Sequence, residues 1–131
     1  MPTNNTRGLW RGKRLNNGEW VLGCLIRSSS KAMIFVLDDK TNRISGTDVD
    51  PSTLGECTGL RDKNGKLIFE GDIISFVEIP EKYYVAKWDK ENACFYFDRD
   101  VYVKACFAPQ HGIIVGNIHD NPELLEGADK P

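Results

Sequence analysis

Long apolar runs are missing from this sequence, and a helix that spans a bilayer needs about 18 consecutive apolar residues. The first residues, M-P-T-N-N-T-R-G-L-W-R-G-K-R, lack the apolar stretch of a secretory leader, so none is expected. Histidine is scarce, with two in 131 residues, which leaves little material for imidazole chemistry. Four cysteines stand at positions 24, 57, 94 and 106. None is in a C-x-x-C pair, so zinc-ribbon spacing is absent. Without a leader they read as small hydrophobes in strands rather than as a disulfide framework. Neither G-x-x-x-x-G-K-[ST] nor G-x-G-x-x-G occurs, which removes the usual phosphate and dinucleotide cradles. No fixed-period repeat or low-complexity tract is present.

The composition is globular, with 40% hydrophobic and 27% charged residues. The length suits one domain or two small lobes. Charge is uneven. Over residues 1–31, Arg7, Arg11, Lys13, Arg14, Arg27 and Lys31 face Glu19 alone, a net +5, while the remainder holds 11 basic and 18 acidic residues, a net −7. A basic arm of this kind suits a nucleic acid, or lobes that attract each other within a chain or between copies. The net charge of −2 opposes strong non-specific DNA binding, which depends on neutralising phosphates.

Turn residues divide the chain into short strands. N-N-G lies between G-L-W-R-G-K-R-L and E-W-V-L-G-C-L-I-R, a hairpin signal in which both Asn and Gly accept positive φ. In the second arm Trp20, Leu22, Cys24 and Ile26 share a face, and Trp20 is expected in the core. K-A-M-I-F-V-L-D, residues 31–38, reads as a strand buried on both faces. I-S-G-T-D-V-D-P-S-T-L-G is broken by Gly and Pro, with a turn or one helical turn at P-S-T-L. Residues 67–79 read as strand, glycine bend, strand. Y-Y-V-A-K-W, D-K-E-N and A-C-F-Y-F-D form a second hairpin around a four-residue turn. Residues 112–118 make another strand. D-N-P-E-L-L-E-G predicts a short helix with Gly127 as its stop and A-D-K-P as a frayed tail. Seven to nine such strands, with no βαβ alternation, indicate a small antiparallel barrel or sandwich.

The stretch C-T-G-L-R-D-K-N-G-K-L-I-F-E-G-D-I-I-S-F, residues 57–76, is the densest in polar chemistry. Aligned as a calcium loop with Gly65 at position 6, it puts Leu60 at position 1 and Gly71 at position 12, where carboxylates are required. A turn at Asp62–Gly65 held by the Asp or Asn side chain is the better reading. E-G-D-I-I resembles the bent entry to an SH3-like barrel strand. The histidines, His111 and His119, and Cys106, five residues before His111, carry no catalytic spacing. Asp98 and Asp100 share a strand face but read as a solvated edge. Tyr83, Tyr84, Trp88, Phe95, Tyr96 and Phe97 crowd one hairpin. One face of it must be core; the other suits a protein partner better than nucleic acid, because acids surround it.

Three fragments in order, W-R-G-K-R-L-N-N-G-E-W-V-L-G, V-D-P-S-T-L-G-E-C-T-G-L-R-D-K-N-G-K-L-I-F-E-G-D-I-I and I-V-G-N-I-H-D-N-P-E-L-L, resemble the YopX family of phage and prophage proteins of Gram-positive bacteria. Cys57 and His119 depart from its pattern. The resemblance covers about residues 7–126. It implies a mainly β chain with an SH3-type barrel-like part and a place in the host bacterial cytoplasm, and it transfers no activity and no catalytic residues. The expected fold is therefore small antiparallel strands in an SH3-like barrel or roll with one or two short helices. Its parts are a β-hairpin region over residues 1–55, the barrel region with the short helix over 56–126, and a tail over 127–131. The expected function is a non-enzymatic protein-interaction module that binds itself or a host or phage protein, without cofactor, metal or membrane. The alternative is a nucleic-acid-binding module using Arg7, Arg11, Lys13 and Arg14, with Trp10 beside them.

Overall fold

A computed structural model describes residues 8–99 and 102–128. It is mainly β, with antiparallel sheets and a few short helices. The chain divides into two compact units, Met1–Cys57 and Thr58–Pro131.

The first unit is built from β1 (Leu9–Lys13), β2 (Trp20–Arg27), β3 (Ala32–Asp38) and β4 (Arg43–Val49). β5 (Gly55–Arg61) begins in this unit and ends in the second. The strands are ordered β4-β3-β2-β1-β5. The N-N-G hairpin forms as expected, with Lys13 opposite Trp20. Gly18 alone takes positive φ there, at 73°. Asn17 contributes through its side chain instead, accepting the Glu19 N–H at 2.9 Å and donating to Glu19 Oε1 at 2.8 Å. β4 occupies I-S-G-T-D-V, where glycine suggested a break. Gly46 is tolerated because the Phe35 ring of the facing strand covers it: a Cβ at Gly46 would lie 2.5 Å from that ring. The expected helical turn at Pro51–Thr53 is a single 3₁₀ turn, capped by Asp50 accepting from Ser52 N–H at 3.0 Å.

The core of this unit is small. Val21, Ala32, Ile34 and Val49 are buried, with Trp10, Leu25 and Leu54 packed against them. This reverses the expected orientation of β2. Val21 and Leu25 face inward, while Leu22, Cys24 and Ile26 are exposed and Trp20 is only half-buried. β3 is buried on one face at its start, at Ala32 and Ile34, and is exposed from Val36 onward. Both faces of these strands are apolar, so alternation alone could not choose the inner one; the partners Ile34 and Val49 choose it. The end of β1 meets the end of β4 through one bridge, Arg14 with Val49, supported by Leu15 N–H donating to Asp48 O at 3.0 Å.

The second unit holds the rest of β5, then β6 (Leu67–Phe69), β7 (Asp72–Phe76), β8 (Ile79–Asp89), β9 (Cys94–Asp98), β10 (Tyr102–Lys104) and β11 (Gly112–Asn117). β6 lies beside β5, and the others form a five-stranded sheet of order β10-β9-β8-β7-β11. Its edges, β10 and β11, do not meet. The expected SH3-like barrel is therefore replaced, among the described residues, by an open sheet. The second hairpin turns at residues 90–93, one position later than D-K-E-N, because Asp89 pairs with Cys94. Asp89 Oδ1 accepts the Glu91 N–H at 3.0 Å, and Ala93 takes φ 52°.

β10, a 3₁₀ turn at Ala105–Phe107 and helix α1 (Ala108–His111) come from a segment with no periodicity to announce them. Ala105 and Ala108 are small enough to seal the core beneath this segment. That core joins Ile68, Ile74, Phe76, Tyr84, Ala86 and Phe97. Phe76 meets Tyr84 edge-on at 5.1 Å and Phe97 at 5.5 Å. Such pairs add about 0.5–1.5 kcal/mol each beyond area burial. Helix α2 (Glu123–Ala128) ends the described chain. Gly127 lies inside it rather than stopping it, and the rest of the expected frayed tail, residues 129–131, lies outside the described residues.

Candidate functional site

Alternation along β1–β4 gives the first unit an outer face opposite its core. Register places Arg11 opposite Leu22, Cys24 opposite Phe35, Ile26 opposite Met33 and Leu37 opposite Ile44. Directly opposed residues project to the same side. Leu22, Ile26, Leu37 and Ile44 on this side are 43%, 60%, 52% and 71% exposed. Single exposed aliphatics are ordinary, but four on adjoining strands of one face make a patch of the kind that marks an interaction surface.

The cations of the hairpin border this patch. The Arg11 guanidinium lies 4.7 Å and the Lys13 ammonium 5.4 Å from the Trp20 ring centre. Both come from one face of β1, because they are two residues apart on a strand. This is cation–π geometry, contributing about 0.5–1 kcal/mol at an exposed site. Thus Arg11 and Lys13 are brought together on Trp20. Arg14, one residue past β1, lines a cleft of about 610 Å3 together with Trp20, Leu22, Ile34 and Thr47. Trp10 packs against the core. Arg7 lies outside the described residues.

In the second unit the polar stretch 57–76 is a scaffold. Asp62 is buried, and its Oδ1 accepts from Asn64 N–H and Lys66 N–H, each at 2.9 Å. Its Oδ2 accepts from Ile114 N–H at 2.9 Å, which ties the turn to β11. Asp72, also buried, accepts from Phe69 N–H at 2.7 Å across the bend at Gly71, whose φ is 95°. Both carboxylates thus bond backbone N–H groups, which supports the turn reading over a calcium loop. The sequence showed that Asp62 would hold its own turn; its bond to a strand 52 residues away had no local signal.

Two cavities flank the second core. One, of about 650 Å3, is lined by Leu60, Phe95, Lys104 and two cysteines, Cys94 and Cys106. The other, of about 270 Å3, is lined by Phe76, Tyr84, Val103, Phe107 and His111. His111 Nδ1 contacts the Glu78 carboxylate there, an ion pair when the imidazole is protonated. Cys106 and His111 therefore line different cavities. His119 sits in the turn after β11, its N–H donating to Asn117 Oδ1 at 2.9 Å.

On the aromatic hairpin, Tyr84, Ala86 and Phe97 are core and Trp88 meets Phe95 at 4.8 Å near the turn that joins β8 to β9. The opposite face carries Lys87, which donates to Asp98 Oδ2 at 2.7 Å. That bond and the charge of Asp98 raise the Lys87 pKa against the lowering effect of burial. Asp100, expected beside Asp98, lies outside the described residues. No helix among the described residues is long and apolar enough to cross a membrane.

No curated protein matches this chain. The family described as YopX protein matches residues 10–126. That match includes the hairpin that carries Arg11, Lys13 and Trp20, both braced turns and most of helix α2, so nearly every element described above falls within it. The chain belongs to the YopX protein family.

Proposed function

We propose that this protein is a non-enzymatic interaction module, encoded by a phage or prophage and acting in the host cytoplasm, whose docking surface is the outer face of the first sheet. The single observation that carries this reading is the set Leu22, Ile26, Leu37 and Ile44, exposed together on one face. The occupant we assign is a second copy of the chain, engaged through its acidic part. Residues 58–131 hold 9 basic and 13 acidic residues, a net −4, whereas Arg11 and Lys13 border the patch. Opposed charges of this kind set orientation and speed association. A contact between unlike surfaces is head-to-tail, so it grows with concentration into a ring or an open chain.

Sedimentation at micromolar concentration tests this. The expected result is a mass that rises with concentration, falls with added salt, and returns to one chain in Leu37→Glu/Ile44→Glu. A single-chain mass at every concentration and salt would overturn it.

The second reading, nucleic-acid binding, is favoured by one observation, the pairing of Arg11 and Lys13. Against it, both cations already cap the Trp20 ring on which a base would stack, and the adjoining surface is aliphatic. Filter binding of single- and double-stranded DNA and RNA at low and moderate salt separates the two. Steeply salt-dependent retention, lost in Arg11→Ala/Lys13→Ala, would move the second reading to the front.

A further inference from the structure

The cavity of about 270 Å3 in the second unit lies where the ladder between β7 and β8 is interrupted. Ser75 and Phe76 are neighbours on β7, but their partners on β8 are Tyr83 and Ile79, so residues 80–82 bulge out between them. A bulge bends its strand and re-aims the side chains beside it. The buried rings of Phe76 and Tyr84, the half-buried Ile79 and Val103, and the exposed Phe107 line the space. The Val77 N–H donates to His111 O at 2.9 Å and so fastens the end of helix α1 to the end of β7. Polar groups are few. The Glu78 carboxylate and the His111 imidazole contact each other, and both are part-exposed. The third is the Tyr84 hydroxyl. Tyr84 is 2% exposed, and its hydroxyl has no hydrogen-bond partner among the described residues, yet it is not sealed away from open space. A buried Tyr hydroxyl usually finds a partner. One that lacks a partner in a residue lining an apolar cavity points to an atom of a ligand.

We propose that this cavity binds a neutral ligand of the phenol class, a single aromatic ring bearing one hydroxyl. Size sets the first limit. An apolar cavity of about 150 Å3 already accepts benzene, so about 270 Å3 accepts one ring with its substituents, and it falls short of the roughly 300 Å3 at which sites for drug-sized ligands begin. The rings of Phe76 and Phe107 offer the edges and faces on which an aromatic guest packs. The guest's hydroxyl pairs with that of Tyr84, since each can donate and accept. Charge sets the second limit. An anion would meet the Glu78 carboxylate, and a cation would have to displace His111 from it. The site lies in the second unit and is independent of the docking face on the first.

The test is calorimetric titration of the full chain with p-cresol and with toluene, which has the same ring and methyl group but no hydroxyl. The expected result is one saturable site per chain that prefers p-cresol. Tyr84→Phe keeps the ring and removes the hydroxyl, so it should weaken p-cresol about fivefold, the worth of one neutral hydrogen bond, and leave toluene unchanged. Val103→Trp should fill the cavity and abolish both. If that variant does not fold, Phe107→Ala, at an exposed position, should weaken both probes by removing one wall. A parallel titration with N-acetyl-tyrosine amide separates the sources of the ring. Binding would show that it can enter on a peptide chain, and p-cresol binding alone would show that only a free phenol fits; either result keeps the site. No saturable p-cresol binding, an unchanged preference for p-cresol in Tyr84→Phe, or full binding in a folded Val103→Trp would each overturn the proposal.

Discussion

The two units use the same material differently. In the first, four residues make the buried cluster and the largest of them is Ile34; in the second, eight residues including Phe76, Tyr84 and Phe97 make it. The first sheet leaves Leu22, Ile26, Leu37 and Ile44 outside. The second puts a Lys87–Asp98 pair on the face opposite its core. Apolar residues on both faces of a sheet with only one face covered indicate a surface meant for something else. On the Lys87–Asp98 face Ile73 and Val85 are buried as well, so the second sheet has apolar residues covered on both sides.

The largest effect should come from cutting the richer core. Phe97→Ala removes a ring with 0% exposure, and should cost about 3–5 kcal/mol, read as a lower midpoint in urea. Next is Asp62→Ala, which strands the N–H groups of Asn64, Lys66 and Ile114. A cost of about 2–4 kcal/mol is expected, with Asp62→Asn retaining part of it by keeping one acceptor oxygen. A near-neutral Asp62→Ala would mean that the turn is not braced by this carboxylate.

Lys87 should give a smaller, pH-dependent effect. Its pKa is raised in the folded state, so its contribution is complete below the unfolded value of about 10.4 and is lost as pH rises through the higher folded value. The pair is solvent-exposed and is expected to contribute under about 1 kcal/mol. The stability difference between the native chain and Lys87→Met, followed from pH 8 to 12, should shrink only at the alkaline end. The smallest effect should be that of Ile44→Ser, within about 0.5 kcal/mol for a surface change in the single chain. A loss of several times that at high dilution would show that this face is covered, and would erase the contrast between the sheets.

The N-N-G hairpin, the Asp62 turn and the Gly71 bend were legible because each depends on neighbours in sequence: an Asn side chain, a carboxylate two residues from its N–H partner, a glycine with positive φ. Where the reading failed, the information was not local. Trp20 was placed inside because it shares a face with Leu22, Cys24 and Ile26, yet Val21 on the other face meets Ile34 and Val49. β4 was missed because the penalty for Gly46 is offset by a ring on the facing strand. The segment holding β10, the 3₁₀ turn and α1 was unread because its small residues acquire meaning only above the Phe97 core.

Sequence alone thus determined a mainly β chain, its turn chemistry and its family, since alternation, positive φ and side-chain-to-backbone bonds act over two to four residues. Tertiary structure alone decided which face is buried, which cations meet on Trp20, and which two cysteines share a cavity. Those depend on register between strands distant in the chain, and a strand that is apolar on both faces has no local reason to prefer one.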